Sequence, residues 1–399
     1  MTLNIVGGTY YEICRDPAWN ELYGSGLRAV HTLCEGAAEI VFNTDVGKDD
    51  YELLLSITNA LKAEVEATIV PFTTLFNYDY PLANPSYSQT EIKDEIPPTI
   101  EGELIIQFGM VEGNKKVLAK KVVYDPQSPI NPQSFWQNGS ETDELIWVAN
   151  FTEVKTFTGF SDLSKIKTHL FNIEKVNAAI IKMGTNGALL IQKDKDDVFI
   201  PLYKTKRVWP IGTGDIYTAT FGFNYLINKL PIEECALKAS LATAYYTETL
   251  ALPIPDFIDK SRFKEFYNNS TVKKKIYLAG PFFNMAQRWL VEQFRLQLIN
   301  FGFEVFSPYH DVGLGDAQKV VPQDINAIER CDLLVAIADG LDSGTMFEIG
   351  YAVALKKSII VFSENEQEES LTMLKGTNCI IESDFSTLIY KTVWEAFKE

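Results

Sequence analysis

The sequence predicts an α/β protein of two domains, the second a smaller doubly wound parallel sheet of the flavodoxin or Rossmann kind. Three observations carry this. Strand-like and helix-like patterns alternate on both sides of a polar stretch, YNNSTVKKK, from Tyr267 to Lys275. The 399 residues exceed what one ordinary core organises. The composition is 46% hydrophobic and 22% charged, with no apolar run near the roughly 18 to 20 residues of a membrane span.

The first domain is expected over 1–267, a linker over 268–274 and the second domain over 275–399. Within the first, LNIVGG, AEIVFNT, EVEATIVPFTT, GELIIQFGMV, ELIWVAN and AAIIKMG read as strands, and helical patterns run from Asp215 to Tyr246. Phe76 to Thr99, with several prolines and aromatics, predicts a structured loop or lid. After the linker, KIYLAGPFF is a buried strand and MAQRWLVEQFRLQLINFG an amphipathic helix closed by Gly302. FEVFSP, DLLVAIAD and SIIVFSE continue as strands, with PQDINAIERC and SGTMFEIGYAVALKK as the intervening helices. This alternation implies a parallel sheet covered on both faces, with ligands outside the carboxyl ends of its strands.

Charge and cysteines narrow the function classes. A net charge of −17 repels a phosphate backbone, so a nucleic acid polymer is not an expected partner, although helix N-termini can still hold small anions. Five scattered cysteines without CxxC spacing argue against a disulfide framework and a zinc site. The opening MTLNIVGGTYYEI lacks a basic leader region, and the expectation is a cytoplasmic protein with no membrane partner.

Two constellations carry chemistry. In the second domain, Asp339, Asp342, Gly344 and Glu348 fall at the functional edge of the sheet. Glu348 is expected in or near the first turn of its helix, where the macrodipole favours an ionised carboxylate, a competent nucleophile toward a sugar carbon. The plainer roles, dipole complementation by Glu348 and capping by Asp342, are the commoner ones for acids so placed. In the first domain, WPIGTGDIYTATFGF from Trp209 to Phe223 is a glycine-rich turn opening a helix. The N–H groups of Gly212, Thr213 and Gly214 could hold developing phosphate charge, and Asp215 could take a proton from an attacking hydroxyl. Asp215 as a helix cap is the alternative.

Surrounding sequence bears on both. IYLAGPFF, SPYHDVG, QDINAIERCDLLVAIADG and DSGTMFEIGYA, in that order, resemble the nucleoside 2-deoxyribosyltransferase family. The resemblance implies Glu348 as nucleophile, Asp324 and Asp342 as supporting acids, and Tyr277 as the residue that orients Glu348. Gly280, Phe282, Phe283, His310 and Gly344 are candidate substrate contacts by position, against a core role for the two aromatics and a plain loop role for the histidine, and the resemblance adds Asn378, against a plain turn asparagine. Asn378 would enter a neighbouring subunit's site, hence a homo-oligomer, and the domain would need no cofactor. Residues 1–267 resemble the ribokinase-like, PfkB-type carbohydrate kinases through NIVGGTYYEI, GSGLRAVHTLCEGAAEIVFNTDVGKDD, IIKMGTNGALL and the GTGD turn. That resemblance implies Asp215 as base, Gly212 to Gly214 as anion hole, and Asn150 and Glu153 of NFTE as organisers of magnesium and phosphate, with ATP and Mg2+ as cofactors. Departures are Trp209-Pro210 ahead of the glycines, where Asp-Thr is usual, and Gly24-Ser25-Gly26 where a glycine pair is usual.

Three functions compete. One is a nucleoside-processing enzyme that cleaves or exchanges an N-glycosidic bond and also phosphorylates a sugar or nucleoside. The second is a nucleotide or dinucleotide N-glycosidase whose kinase-like half only senses a ligand. The third is a non-catalytic binding or assembly protein, which the chemistry-bearing acids of the second domain disfavour.

Overall fold

Thr2–Val6 has four consecutive buried residues because it is an interior strand of a nine-stranded sheet and is covered on both faces. The computed structural model describes residues 1–36, 38–88, 98–113, 115–128, 131–268 and 272–398. Two units separate: Met1–Thr205 with Trp209–Tyr267, and Asn268–Glu399 with Lys206–Val208.

In the first unit the sheet is parallel over most of its width, and Ala188–Gln192 and Val198–Ile200 form an antiparallel edge. Leu27, Ala29 and Val30 of the Gly24–Leu33 helix and Ala219 and Phe221 of the Thr213–Leu226 helix pack with Ile5 and Phe42 into one core. That packing brings the two glycine-bearing helix starts to the carboxyl end of Thr2–Val6. Gly7 and Gly26 touch there: a β-carbon on Gly26 would lie 2.7 Å from the Gly7 carbonyl.

Four short strands, Trp19–Leu22, Tyr11–Cys14, Leu75–Tyr78 and Ser86–Ser88, make a separate small sheet. The last two lie in or beside the loop expected over Phe76 to Thr99; 89–97 lie outside the described residues, as do 269–271 of the expected linker. The strand Lys116–Asp125 escaped the sequence reading, because its exposed half carries three lysines and masks the apolar alternation.

In the second unit five strands, all parallel, run in the order Glu304–Phe306, Lys275–Ala279, Leu333–Ile337, Ser358–Phe362, Ile380–Glu382. The order reverses between Lys275–Ala279 and Leu333–Ile337, which places a crevice outside their carboxyl ends. The fifth strand adds one to the four expected, and the helix expected from Pro322 begins earlier, at Ala317, where Asp316 caps it through the Gln318 N–H at 3.0 Å. Pro322 sits inside that helix. No described helix is long and apolar enough to cross a membrane.

Candidate functional site

In the second unit, Tyr277 on the strand Lys275–Ala279 is fully buried, and its hydroxyl donates to Glu348 Oε1 at 2.6 Å. Phe306 stacks on the Tyr277 ring at 5.6 Å between centroids and fixes its plane. Glu348 belongs to the helix Ser343–Ala354, whose preceding residue Asp342 is the N-cap and accepts the Thr345 N–H at 2.9 Å and its hydroxyl at 3.1 Å.

The expectation of an ionised Glu348 held by the helix end is corrected here. The helix starts at Ser343 with no acid in its first turn, so Glu348 stands one turn further in, where the dipole has faded. Burial pushes its pKa up to about 7; the Tyr277 hydrogen bond opposes this, while the charges of Asp324 and Asp342 add to it. Asp324, on Ala317–Arg330, is also raised by burial, and its Oδ1 is a buried atom with no hydrogen-bond partner among the described residues. Three carboxyl groups and one phenol therefore interact at the switch point.

The other candidates divide. Gly280 allows close approach of strand and helix, since a β-carbon there would lie 3.2 Å from Ile337 and 3.4 Å from Val291. Gly344 lies against Asp342 Oδ2. Phe282 and Phe283 stack on each other at 5.7 Å, Phe282 reaches Tyr309 at 5.4 Å, and Phe283 is exposed. His310 is engaged on both sides, by Glu292 at 2.7 Å and Ser307 at 3.1 Å. Asn378 is exposed at a positive φ of 60°, in the turn after Thr372–Lys375.

In the first unit a cavity of ≈ 270 Å³ is lined by Gly212, Gly214, Asp215, Asn150 and Glu153, so those expected residues do meet. Gly212 takes φ +77 at the head of the helix, a conformation that favours glycine. Thr213 is a correction: its N–H and hydroxyl are both spent on the Pro210 carbonyl, at 3.3 and 2.8 Å. Asn150 and Glu153 bond reciprocally as a capping box, at 2.9 and 2.8 Å. Burial and then Asp125 raise Glu153 to about 7.

Sequence reasoning missed the charges that organise this cavity. Arg28 is buried, donates to both oxygens of Glu12, and donates through Nη1 to Asp215 Oδ2 at 2.7 Å. Gln127 Nε2 donates to Asp215 Oδ1, so both oxygens of the expected base have partners. Lys182 pairs with buried Asp125 at 2.7 Å and lies 3.4 Å from where a β-carbon of Gly214 would stand. The available signal was a lone arginine within the apolar GSGLRAV. Trp209, which replaces the usual acid, is buried beside Trp19 in a core with Ile211, Ile216 and Tyr246.

Comparison with known proteins divides at the same place. Residues 118–250 match the pfkB family carbohydrate kinase, and residues 276–385 match the nucleoside 2-deoxyribosyltransferase family. An uncharacterized protein of Ureaplasma parvum serovar 3 is 36% identical over 101 residues, which span 22% of this chain and 64% of that protein. Among solved structures, a pyrophosphate-dependent kinase in the ribokinase family, complexed with a pyrophosphate analog and myo-inositol, is similar at 15% identity and TM-score 0.45. It covers 64% of this chain and 98% of its own. The nucleoside kinase of Methanocaldococcus jannaschii follows at 16% identity and TM-score 0.46, over 63% of this chain and 94% of its own. The fructokinase of Vibrio cholerae O395 aligns at 11% identity and TM-score 0.49, over 62% and 93%.

Proposed function

We propose that the C-terminal unit cleaves or exchanges the N-glycosidic bond of a (deoxy)nucleoside or nucleotide through a covalent ester on Glu348, beside a kinase-like N-terminal unit. The observation that carries this is the 2.6 Å bond from buried Tyr277 to Glu348 at the sheet's switch point. A carboxylate with a pKa near 7 is more basic, and hence a stronger nucleophile, than an ordinary one, yet still ionises near neutral pH.

The steps balance. Glu348 forms a bond to C1′ as the C1′–N bond breaks through an oxocarbenium-like transition state, and the electron pair leaves with the base. The departing nitrogen takes a proton from Asp324, which burial keeps protonated to higher pH than an ordinary aspartate. Asp342 is committed to its cap, which leaves Asp324 the better donor. A second base or water then attacks C1′, gives its proton to the Asp324 carboxylate and releases Glu348, giving exchange or hydrolysis.

For the N-terminal unit, the turn at Gly212 and the Lys182 ammonium suit the phosphates of ATP, and Asn150 with Glu153 would hold Mg2+ through water. Asp215 would accept the proton of the acceptor hydroxyl. The Arg28 and Gln127 contacts to Asp215 favour a second reading, in which this unit binds a ligand without phosphorylating it. We place the protein in the cytoplasm, as a homo-oligomer to which Asn378 contributes.

The test is incubation with deoxynucleosides and a free base, with and without ATP. Base exchange supports transfer, free sugar supports hydrolysis, and ATP consumption supports the kinase reading. Glu348→Gln abolishes the glycosidic chemistry; unchanged turnover in that variant removes the nucleophile assignment.

A further inference from the structure

We infer that a second, uncharged chamber beside Asp215 receives the heterocycle of an intact nucleoside, so that the N-terminal unit takes a neutral nucleoside rather than a free or phosphorylated sugar. This rests on the reading of Asp215 as the acceptor end of its cavity.

The chamber has a volume of ≈ 1000 Å³, and every described residue that lines it is uncharged at neutral pH. That is unexpected in a chain with 22% charged residues, and more so beside a cavity lined by Glu12, Arg28, Asp125, Glu153, Lys182 and Asp215. Phe76, Val111 and Gln127 line both spaces, so one ligand can extend from one into the other.

The lining chemistry is that of a site for a flat, polar-edged ring. Phe76 and Tyr87 stack at 5.2 Å with 26° between their planes, and an aromatic face of this kind accepts a nucleobase. Asn84, Gln127, Asn131 and Gln133 bring carboxamides, which offer donor and acceptor together and so match the edge of a base without demanding charge. A free sugar would leave the aromatic pair unused. A phosphate placed in the chamber would meet no cation among the described residues that line it.

Gln127 joins the two halves, since its Nε2 donates to Asp215 Oδ1. A hydroxyl entering beside Asp215 takes over that contact, and the freed carboxamide turns to the base in the chamber.

The test is calorimetry on the full chain carrying Glu348→Gln, without ATP, using deoxyadenosine, ribose and deoxyadenosine monophosphate. We expect two deoxyadenosine binding events per chain, one of them weakened about 10-fold or more by Phe76→Ala or Tyr87→Ala. Asn131→Asp, at an exposed position where folding is not at stake, weakens the same event by adding charge. Ribose and the monophosphate bind without dependence on Phe76. Deoxyadenosine binding that is indifferent to all three substitutions overturns the proposal, as does Phe76-dependent binding of ribose or the monophosphate. A failure of the kinase reading looks different: no ATP consumption in the parent chain, with the Phe76-dependent event intact.

Discussion

Tyr277 and Glu348, 71 residues apart in the chain, share a 2.6 Å hydrogen bond that joins the first strand of the C-terminal sheet to the second turn of the Ser343–Ala354 helix. Donation to the charged carboxylate lowers the Glu348 pKa, whereas burial and two neighbouring acids raise it, with a balance near 7. Opposed influences of this kind give predictions with a definite sign.

Tyr277→Phe removes the one contact among the described residues that favours ionised Glu348. A hydrogen bond to a charged group contributes about 1.5–3 kcal/mol, or about 1–2 pH units. The acid limb of kcat/KM therefore moves up from near pH 7, turnover at pH 7 falls about 10-fold, and activity recovers by about pH 9. A loss of equal size at every pH would place Tyr277 outside the tuning of Glu348.

Stability should carry the same signature. Glu348 titrates near 4.5 when unfolded and near 7 when folded, so the folded state binds the proton more tightly. Stability is then highest with Glu348 protonated and declines as pH rises from about 4.5 through about 7, where a buried carboxylate must be held. Glu348→Gln removes that decline. Because the site is partly open, we expect a gain of about 1–3 kcal/mol at pH 8 and little at pH 4.5, measured by thermal melting of the full chain. Equal melting shifts at the two pH values would contradict the raised pKa.

These signs could not have been read from the sequence alone. The alternation of strand and helix after Lys275 and the turn ending in Asp215 were legible, because buried parallel strands are short apolar runs and the motifs sit at their ends, whereas the grouping of Tyr277 with Glu348 came from the family resemblance and not from the pattern. The ionisation of Glu348 was not. It depends on where the helix begins, and Asp342 and Glu348 are both plausible near an N-terminus until the Thr345 hydrogen bonds identify Asp342 as the cap. Arg28 was hidden for another reason. Its partners Glu12 and Asp215 lie 16 residues before it and 187 after it, and no local pattern marks an ion pair of that span.

Arg28 yields the third prediction. Glu12 and Asp215 are both buried, and the guanidinium is the cation the structure places against each. Arg28→Met keeps much of the volume but leaves two buried carboxylates without their counter-charge, at a cost of about 3–5 kcal/mol. Urea denaturation of the full chain followed at pH 7 reads this. Asp215→Asn should cost clearly less, because the Glu12–Arg28 pair survives, and it should abolish ATP-dependent phosphorylation while sparing the glycosidic activity. If Arg28→Met were as stable as the parent, the triad would have no role in holding the two helix starts together.

Asp342 offers the most discriminating case, since its two roles separate by substitution. As N-cap it accepts the Thr345 N–H; as an anion it adds to the raised pKa of Glu348. Asparagine caps a helix as well as aspartate does, so Asp342→Asn should leave stability within about 0.5 kcal/mol. The negative charge is nevertheless gone, and Glu348 then ionises more readily. The acid limb of kcat/KM moves to lower pH, opposite in direction to Tyr277→Phe, and activity at pH 6 rises relative to that at pH 8. Asp342→Ala shifts the limb the same way but also loses the cap, about 1 kcal/mol of stability. A limb that stays in place in Asp342→Asn would confine Asp342 to capping and leave burial and Asp324 as what raises Glu348.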